Sequence, residues 1–426
     1  MPLELGFSDL VGREVGVWGL GVEGRATLRA LERLGVTPRV VADDHPRIGE
    51  SVSSGDAFDE LRRCHVVIKS PGLSRYRDDL VALEGAGVLV TSALALWMHD
   101  VSLERLVAVT GTKGKSTTAS LVAFLLRSAD QPVNLVGNIG VAPYDPDLAD
   151  EGGWYVLEVS SFQATDLRRC PRTVGLTSLG SDHLDWHGDE ATYRRDKLSF
   201  LHLDDSHVTF LSADPSLQDL ELPGDVRRLG SPDDTVASLA RTLRLVGSHN
   251  ARNLDLAVHL VASVLQRPSE EVVRLARDRH EEFTPLPGRL SVVAHDGEIT
   301  FVDDGLATSV LPTVAALEVV SGPLVLIAGG FDRGVDYQPL VDALSRRNDV
   351  HLVTIGPAGA RLGELARRSG LDVLDAGDLA SAVGLARGLL ERGTVLFSPG
   401  APSFDAYDNW AERSADFTRL ARQRAE

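Results

Sequence analysis

The chain has few cysteines and no long apolar run, and both absences restrict its class. Only two of its 426 residues are cysteines, Cys64 and Cys170. Two cysteines cannot form a disulfide framework, and these two lack metal-ligand spacing, so we expect a reducing compartment. No apolar run reaches the roughly 20 residues of a membrane-spanning helix, and acidic residues precede the first apolar run, unlike in a signal peptide. We therefore expect a cytoplasmic protein with no membrane partner.

Basic residues are also scarce relative to acidic ones. There are 43 Lys and Arg against 61 Asp and Glu, which gives a formal net charge of -18. That charge repels nucleic acid as a bulk partner, although a local basic loop can still bind a phosphate. The rest of the composition, 43% hydrophobic and 24% charged, is typical of globular proteins. We expect no nucleic-acid partner.

The fold class follows from short β-branched runs that end in glycine or a polar turn. Runs that are apolar on both faces are typical of parallel sheets covered by helices. Helix-period segments, such as residues 24–35 and 117–129, lie between several of them. The runs span residues 14–21, 65–72, 105–111, 155–161, 173–180, 299–305, 323–330, 350–356 and 394–400. The pattern predicts an α/β protein with doubly wound sheets.

Two boundary segments divide the chain into three predicted domains. A chain of this length exceeds the size at which a single core stops growing. Residues 97–106 separate the first sheet from the next strand, and residues 281–290, with two prolines and a glycine, are typical of a hinge. The predicted domains are residues 1–102, 103–287 and 288–426.

A phosphate-binding loop that lacks its usual first glycine follows one of the predicted strands. Val109 occupies that position, and Gly111 and Gly114 are the glycines of the loop. Backbone N–H groups at such a helix N-terminus converge on phosphate oxygens, Lys115 reaches the β- and γ-phosphates, and the Ser116 hydroxyl ligates Mg²⁺. A glycine turn with two surface lysines is the alternative. The strand before the loop and the helix after it favour nucleotide binding.

Three downstream residues are candidate metal ligands, and each has an ordinary alternative. Glu158 interrupts a buried strand, where a carboxylate requires an ion pair or a metal. His183 follows the next strand, where a histidine is often simply exposed. Lys197 lies in a helical pattern, where a lysine is usually solvated. A nucleotide site needs acidic groups for Mg²⁺. The residues alone leave Glu158 and His183 open between the two interpretations, and they favour a solvated side chain for Lys197.

The first predicted strand ends in a glycine-rich turn. Gly19, Gly21 and Gly24 follow it, and Asp43 closes the next strand nineteen residues later. This is the dinucleotide-binding fingerprint of Rossmann domains and by itself suggests NAD. Any nucleoside diphosphate, or a plain strand–helix turn, fits the same glycines. Residues 69–74 form a second turn at a strand end, where open sheets bind ligands.

Taken together, these motifs resemble the Mur ligases of peptidoglycan synthesis, in particular the members that add glutamate to UDP-N-acetylmuramoyl-L-alanine. The resemblance covers essentially the whole chain, and the loop without its first glycine is usual in that family. The matching motifs are residues 19–31, 67–74, 109–118, 135–140, 157–163, 182–198, 248–254, 286–290, 302–308, 329–337 and 396–413. The fold implied has a Rossmann-like N-terminal domain, a central P-loop ATPase domain and a Rossmann-like C-terminal domain.

The resemblance implies a role for each matching residue. The implied UDP-substrate residues are Leu20, Asp43, Ser70, Pro71, Gly72 and Asn138. The implied ATP residues are Gly111, Thr112, Lys113, Gly114, Lys115, Ser116, Thr117, Asn253, Arg289 and Asp304. The implied metal ligands are Ser116, Glu158, His183 and Lys197. The implied glutamate residues are Thr308, Arg333, Ser403 and Phe404. The implied catalytic residues are Lys115, His183 and Lys197.

The reaction implied by the resemblance is ATP-dependent amide formation through an acyl phosphate. ATP and two Mg²⁺ ions are the implied cofactors, and Lys197 matches a lysine that CO₂ carbamylates into a carboxylate-like metal ligand. The first domain would bind UDP-N-acetylmuramoyl-L-alanine, the second ATP and the third glutamate. Because water hydrolyses an acyl phosphate, we expect the third domain to close over the site.

Two departures from the D-glutamate-adding members favour L-glutamate as the amino acid. Leu306 replaces a lysine near the glutamate carboxylate, and Gly288 replaces a histidine before Arg289. Loss of a charged donor costs about 1.5–3 kcal/mol unless another group substitutes, and Arg333 is a candidate substitute. The departures resemble a branch that adds L-glutamate and leaves inversion to a separate epimerase, and a reshaped pocket suits a changed stereocentre. The D-glutamate-adding ligase is the alternative.

Three other classes of protein fit parts of the sequence. An NAD-dependent dehydrogenase accounts for the first glycine-rich turn but leaves the phosphate loop without a use. A nucleotide-regulated binding protein accounts for both sheets but not for the retained candidate metal ligands. A folylpolyglutamate-type ligase shares the ATP core and glutamate but lacks a UDP-binding first domain.

Overall fold

A computed structural model describes residues 5–43 and 55–423 as an α/β protein. The strands are β1 Val15–Trp18, β2 Val40–Ala42, β3 Val66–Lys69, β4 Leu89–Thr91, β5 Leu106–Thr110, β6 Val133–Gly137, β7 Trp154–Glu158, β8 Thr173–Leu176, β9 Val208–Leu211, β10 Asp225–Arg228, β11 Ser291–Asp296, β12 Glu298–Asp303, β13 Leu324–Gly329, β14 Val350–Ile355, β15 Val373–Asp375 and β16 Arg392–Phe397.

The α-helices lie between these strands in nearly regular alternation. They are α1 Val22–Arg33, α2 Gly55–Leu61, α3 Asp78–Gly85, α4 Ala93–Asp100, α5 Lys115–Ser128, α6 Ser161–Ala164, α7 Leu184–His187, α8 Glu190–Leu198, α9 Asp234–Thr242, α10 Ser248–Leu265, α11 Ser269–Asp278, α12 Val310–Val319, α13 Gln338–Ser345, α14 Gly356–Arg368, α15 Leu379–Leu389 and α16 Trp410–Arg422. The alternation is that of parallel sheets with crossover helices.

The first two sheets are built from parallel strands, as their apolar runs predict. The first has the order β2-β1-β3-β4, and the second has the order β10-β9-β8-β5-β7-β6. Every residue of β5 is buried, since the strand lies at the centre of its sheet. The predicted α/β class is confirmed.

The third sheet has the order β11-β12-β16-β13-β14-β15, and its first strand differs from the rest. β11 pairs antiparallel with β12 through a turn at Gly297, whereas the other neighbours are parallel. Apolar clusters cover both faces, one around Leu326 and Leu362 and the other around Phe397 and Phe417. A sheet buried on both faces is what its continuous apolar strands require.

The residues of the chain group into two compact units. One unit comprises Met1–Val236 and Arg252–Arg279, and the other comprises Ala237–Ala251 and His280–Glu426. Within the first unit, a single apolar cluster includes Val17 of the first sheet and Leu157 of the second. The first two sheets therefore share a core, and the limits 1–102, 103–287 and 288–426 stay a prediction.

Within residues 5–43 and 55–423, no helix combines the length and the apolar character that crossing a bilayer demands.

Candidate active site

The predicted phosphate loop connects β5 to α5 at the middle of the second sheet. β5 has β7 on one side and β8 on the other, so the loop lies at the carboxyl edge where open parallel sheets bind ligands. Gly114 immediately precedes α5 and has φ 87°, and Gly111 has φ 141°. Both angles favour glycine. A Cβ on Gly111 would lie 2.0 Å from the Thr177 hydroxyl oxygen, which leaves no room for a side chain.

Residues at and beyond the end of β8 hold the loop in this shape. The Thr112 N–H donates to the Ser178 carbonyl at 2.9 Å, and the Lys113 N–H donates to the Ser178 hydroxyl at 3.0 Å. The Thr177 hydroxyl donates to the Lys113 carbonyl at 2.5 Å. The Thr112 and Tyr193 hydroxyls are 2.8 Å apart. Thr177, Ser178 and Tyr193 were not among the predicted site residues, although a Thr-Ser pair after a strand was the available signal.

Two lysines and an asparagine flank the loop. Lys115 donates to the Thr112 carbonyl at 3.0 Å, so its ammonium folds back over the loop. Lys113 donates to the Asp182 carboxylate at 3.0 Å, and its side chain is largely exposed. The Asn253 side chain, from α10, lies against the loop at Gly114. The ATP residues implied for the first unit are therefore neighbours.

Glu158 is the last residue of β7 and is almost fully buried. One of its carboxylate oxygens accepts from the Asn138 amide at 2.8 Å. The other has no hydrogen-bond partner among the residues that the structure describes. Such an oxygen is costly unless a cation or a donor completes it, so Glu158 fits a metal ligand. Ser116 is also buried, in the first turn of α5, and Thr117 beside it is half-buried.

Lys197, in α8, is 1% exposed, so its interpretation as a solvated lysine is wrong. Its ammonium donates to the Gly111 carbonyl at 2.9 Å and lies 5.0 Å from the centre of the Tyr193 ring. Burial, followed by the charge of Lys115, lowers the pKa of Lys197 well below its usual value. A lysine with a lowered pKa is more readily neutral, and a neutral amine is a nucleophile.

His183 precedes α7 and has a left-handed backbone with φ 51°. Its ring centre is 4.8 Å from that of Phe162, and about half of the side chain is exposed. Burial of the rest, followed by the charge of Lys115, lowers the pKa of His183 although a neighbouring carboxylate opposes this. Among residues 5–43 and 55–423, no three His, Cys, Asp or Glu side chains are grouped to hold a metal. A metal beside Glu158 would therefore need further ligands of other types.

The predicted UDP-substrate residues lie mainly at the carboxyl edge of the first sheet. The Leu20 N–H donates to the Asp43 carboxylate at 3.1 Å, and the Ser70 hydroxyl donates to the Gly19 carbonyl at 3.0 Å. The structure thus brings the glycine-rich turn and the second turn together. Pro71 and Gly72 continue from Ser70, and the Gly72 carbonyl accepts from the Trp186 indole at 3.2 Å. Asn138 is the exception, because its side-chain amide donates to the Glu158 carboxylate.

The remaining predicted residues belong to the second unit. Asp304 follows β12 and accepts from the Ser398 hydroxyl at 2.7 Å. Burial raises the pKa of Asp304 to about 7. Arg289 is exposed, and Thr308 is half-buried.

The predicted glutamate residues of this unit include two that pack on each other. The Arg333 guanidinium lies 6.0 Å from the centre of the exposed Phe404 ring. Ser403 is buried beside Phe404. An exposed arginine against an aromatic face suits an anionic ligand.

Comparisons with known proteins agree with this fold. Residues 109–221 match the Mur ligase middle domain. The UDP-N-acetylmuramate-alanine ligase of Thermotoga maritima superposes with a TM-score of 0.54 at 17% identity, over 96% of this chain and 98% of its own. The MurF ligase of Thermotoga maritima, in complex with ADP, superposes with a TM-score of 0.53 at 15% identity, over 98% and 97%. These similarities show the three-domain fold.

Sequence relatives extend the similarity over the full chain. Proteins of a Micromonospora strain and of Salinispora tropica are 38% and 39% identical, each over 98% of this chain and over 98% and 99% of their own length. The chain therefore belongs to the Mur ligase family. Both relatives are UDP-N-acetylmuramoyl-L-alanine–L-glutamate ligases, as is a Xanthomonas axonopodis pv. citri protein that is 35% identical over 97% of this chain and 96% of its own.

Proposed function

We propose that this chain uses ATP to join L-glutamate to UDP-N-acetylmuramoyl-L-alanine. The observation that carries the proposal is the preformed phosphate loop at the centre of the second sheet, with Lys115 folded over it. The names of its full-length relatives supply the two substrates. The L isomer leaves inversion of the new residue to a separate epimerase.

The loop residues are proposed to hold the triphosphate. Backbone N–H groups at the start of α5 and the Lys115 ammonium offset the negative charge on the transferring phosphoryl group. The alanine carboxylate attacks the γ-phosphorus, and the bond to ADP breaks, which leaves an acyl phosphate. The glutamate amine then attacks the acyl carbon, phosphate leaves, and the amine loses a proton.

We propose Ser116, Glu158, His183 and a carbamate on Lys197 as ligands for Mg²⁺. When bound, Mg²⁺ neutralises phosphate charge and orients the reacting oxygens. The unpartnered oxygen of buried Glu158 supports this assignment. The buried amine of Lys197 also supports it, because carbamylation requires a neutral amine and its burial favours that state.

The other predicted roles are kept as part of the proposal. Leu20, Asp43, Ser70, Pro71, Gly72 and Asn138 are assigned to the UDP substrate. Gly111, Thr112, Lys113, Gly114, Thr117, Asn253, Arg289 and Asp304 are assigned to ATP. Thr308, Arg333, Ser403 and Phe404 are assigned to glutamate. The Arg333–Phe404 contact supports an anion site on that surface.

The decisive experiment is phosphate release from ATP with UDP-N-acetylmuramoyl-L-alanine and either L- or D-glutamate. Release that depends on both the muramoyl substrate and L-glutamate is the expected result. A preference for D-glutamate would overturn the isomer and leave the ligase assignment. No release with either isomer would overturn the ligase assignment.

A further inference from the structure

Arg289 lies between two residues with left-handed backbone conformations. Gly288 has φ 68° and Leu290 has φ 50°. A glycine adopts such an angle freely, whereas a leucine does so only when its surroundings impose it. The segment around Arg289 is therefore held by specific contacts rather than by its own preference.

Two consecutive carboxylates supply those contacts, one on each side of Arg289. The Gly288 N–H donates to the Asp303 carboxylate at 3.0 Å. The Leu290 N–H is a hydrogen-bond donor to the Asp304 carboxylate. Asp303 ends β12 and Asp304 follows it, so the end of one strand fixes the backbone both before and after the arginine.

Asp303 connects this segment to two further elements. It is 1% exposed, and besides Gly288 it accepts from the Gly305 N–H at 2.9 Å and the Ser414 hydroxyl at 3.1 Å. Because a buried carboxylate with three donors is costly to disturb, these bonds are expected to stay together. Asp303 thereby joins the turn before Arg289, the turn after β12 and α16.

The space around Gly288 explains why a glycine stands there. A Cβ at this position would lie 2.8 Å from a ring carbon of Trp410 and 3.0 Å from the Leu306 nitrogen. The Leu306 N–H also donates to the Gly288 carbonyl at 3.1 Å. The two departures noted at positions 288 and 306 are thus parts of one arrangement that leaves no room for a histidine.

We propose that Asp303 is a positioning residue for Arg289, which it holds through the Gly288 backbone in the orientation that ATP requires. The proposal deepens the proposed function, since it rests on Arg289 contacting ATP. Asp303 itself is buried and acts through the arginine. Ser414 donates to the other oxygen of the same carboxylate, Oδ1, whereas the Gly288 N–H donates to Oδ2.

A double-mutant cycle between Asp303 and Arg289 tests this relation. Asp303→Asn keeps the size of the side chain but replaces one acceptor oxygen with a donor. Because Oδ1 accepts two bonds, from Gly305 and Ser414, we expect the amide nitrogen at the Oδ2 position, where the bond from the Gly288 N–H is lost. We expect the KM for ATP to rise about tenfold in Asp303→Asn, and not to rise further when Asp303→Asn is added to Arg289→Ala. The KM for the muramoyl substrate should stay unchanged in both. If Asp303→Asn raised the KM for ATP by the same factor in the wild type and in Arg289→Ala, the proposal would be overturned.

Two companion variants keep the test decisive. Ser414→Ala removes the bond to Asp303 Oδ1 and leaves the Gly288 N–H bond to Oδ2 in place, so we expect its KM for ATP to match the wild type. Asp303→Glu retains the charge but displaces it, and its effect should also vanish in the Arg289→Ala background. If Asp303→Asn does not fold, Asp303→Glu takes its place in the double-mutant cycle. A Ser414→Ala effect as large as that of Asp303→Asn would make Asp303 a general packing residue and overturn the proposal.

Trypsin provides a measurement that does not depend on activity. Cleavage after Arg289 under native conditions requires the flanking backbone to open. We expect Asp303→Asn to speed this cleavage about tenfold over the wild type, with no change after Arg62, which belongs to the other compact unit. Unchanged cleavage after Arg289 would overturn the positioning role. If wild-type protein shows no affinity for ATP, the proposed function fails, while the cleavage comparison still decides whether Asp303 holds this segment.

Discussion

Lys197 is 1% exposed and lies against the phosphate loop, with its ammonium on the Gly111 carbonyl and beside the Tyr193 ring. A lysine in a charged helical segment is ordinarily solvated, and local pattern favoured that interpretation. Burial comes from tertiary contacts with the Gly111 carbonyl and the Tyr193 ring, which local sequence does not encode. The resemblance to a family identified the residue, whereas Thr177 and Ser178, which hold the loop, were missed.

Replacement of Lys197 is the first prediction at this scale. If its carbamate is a metal ligand, Lys197→Ala should lower turnover by about a hundredfold or more. A small carboxylic acid such as acetate should restore part of the activity, because it can occupy the vacated space. Phosphate release with and without the acid measures both effects. The exposed Lys113→Ala is the control, and it should show no such rescue; full activity of Lys197→Ala would remove this lysine from the mechanism.

Asp304 gives a second residue-scale prediction, on pH. Burial raises its pKa from 3.8 to about 7 in the folded state. Between these values the folded state holds a proton that the unfolded state has released, so stability is lost as the pH rises from about 4 to 7. Asp304→Asn cannot titrate. Its free energy of unfolding relative to the wild type should therefore increase across this window, by up to roughly 4 kcal/mol. Denaturant titrations at pH 4, 6 and 8 measure it, and a constant difference contradicts the assignment.

The regular elements were the most predictable part of the molecule. Apolar runs located the central strands, including β5 and β13, because strands buried on both faces must be apolar throughout. The exposed strand β10, with the sequence Asp-Val-Arg-Arg, has no such pattern and escaped prediction. The antiparallel pairing of β11 with β12 was also missed, since pairing direction depends on the Gly297 turn and on the rest of the sheet.

The loop between β5 and α5 carries the element-scale prediction. Gly111→Ala would place a methyl group 2.0 Å from the Thr177 hydroxyl and 3.0 Å from the Ser178 backbone. We expect a loss of about 1–3 kcal/mol in stability from backbone strain, and at least about a tenfold loss of ATP affinity. Calorimetric titration with ATP measures the affinity. Gly87→Ala is the matched control, because it has φ 86° but open space around it; equal ATP affinity in the two variants would contradict the steric argument.

At the scale of the whole molecule, the shared core of the first two sheets was not visible in the sequence. The local composition of residues 97–106 predicted a domain boundary between these two sheets, whereas a single apolar cluster contains both Val17 and Leu157. A buried ion pair adds to this connection: the Lys69 ammonium, at the end of β3, is 2.7 Å from the Asp166 carboxylate, and neither side chain is exposed. Asp166 also accepts from Arg75 at 2.8 Å.

Removal of Lys69 should therefore affect one compact unit and not the other. Breaking a buried pair from one side costs about 3–5 kcal/mol. Because Asp166 keeps its contact with Arg75, we expect Lys69→Met to lower the free energy of unfolding by an amount at the lower end of this range. Calorimetry should show the transition of the unit containing the first two sheets moved to lower temperature and that of the third-sheet unit unchanged. The double variant Lys69→Met with Asp166→Leu should recover part of the loss, because no buried charge is then left unpaired within that pair. A single transition that shifts as a whole would mean that the two units unfold together.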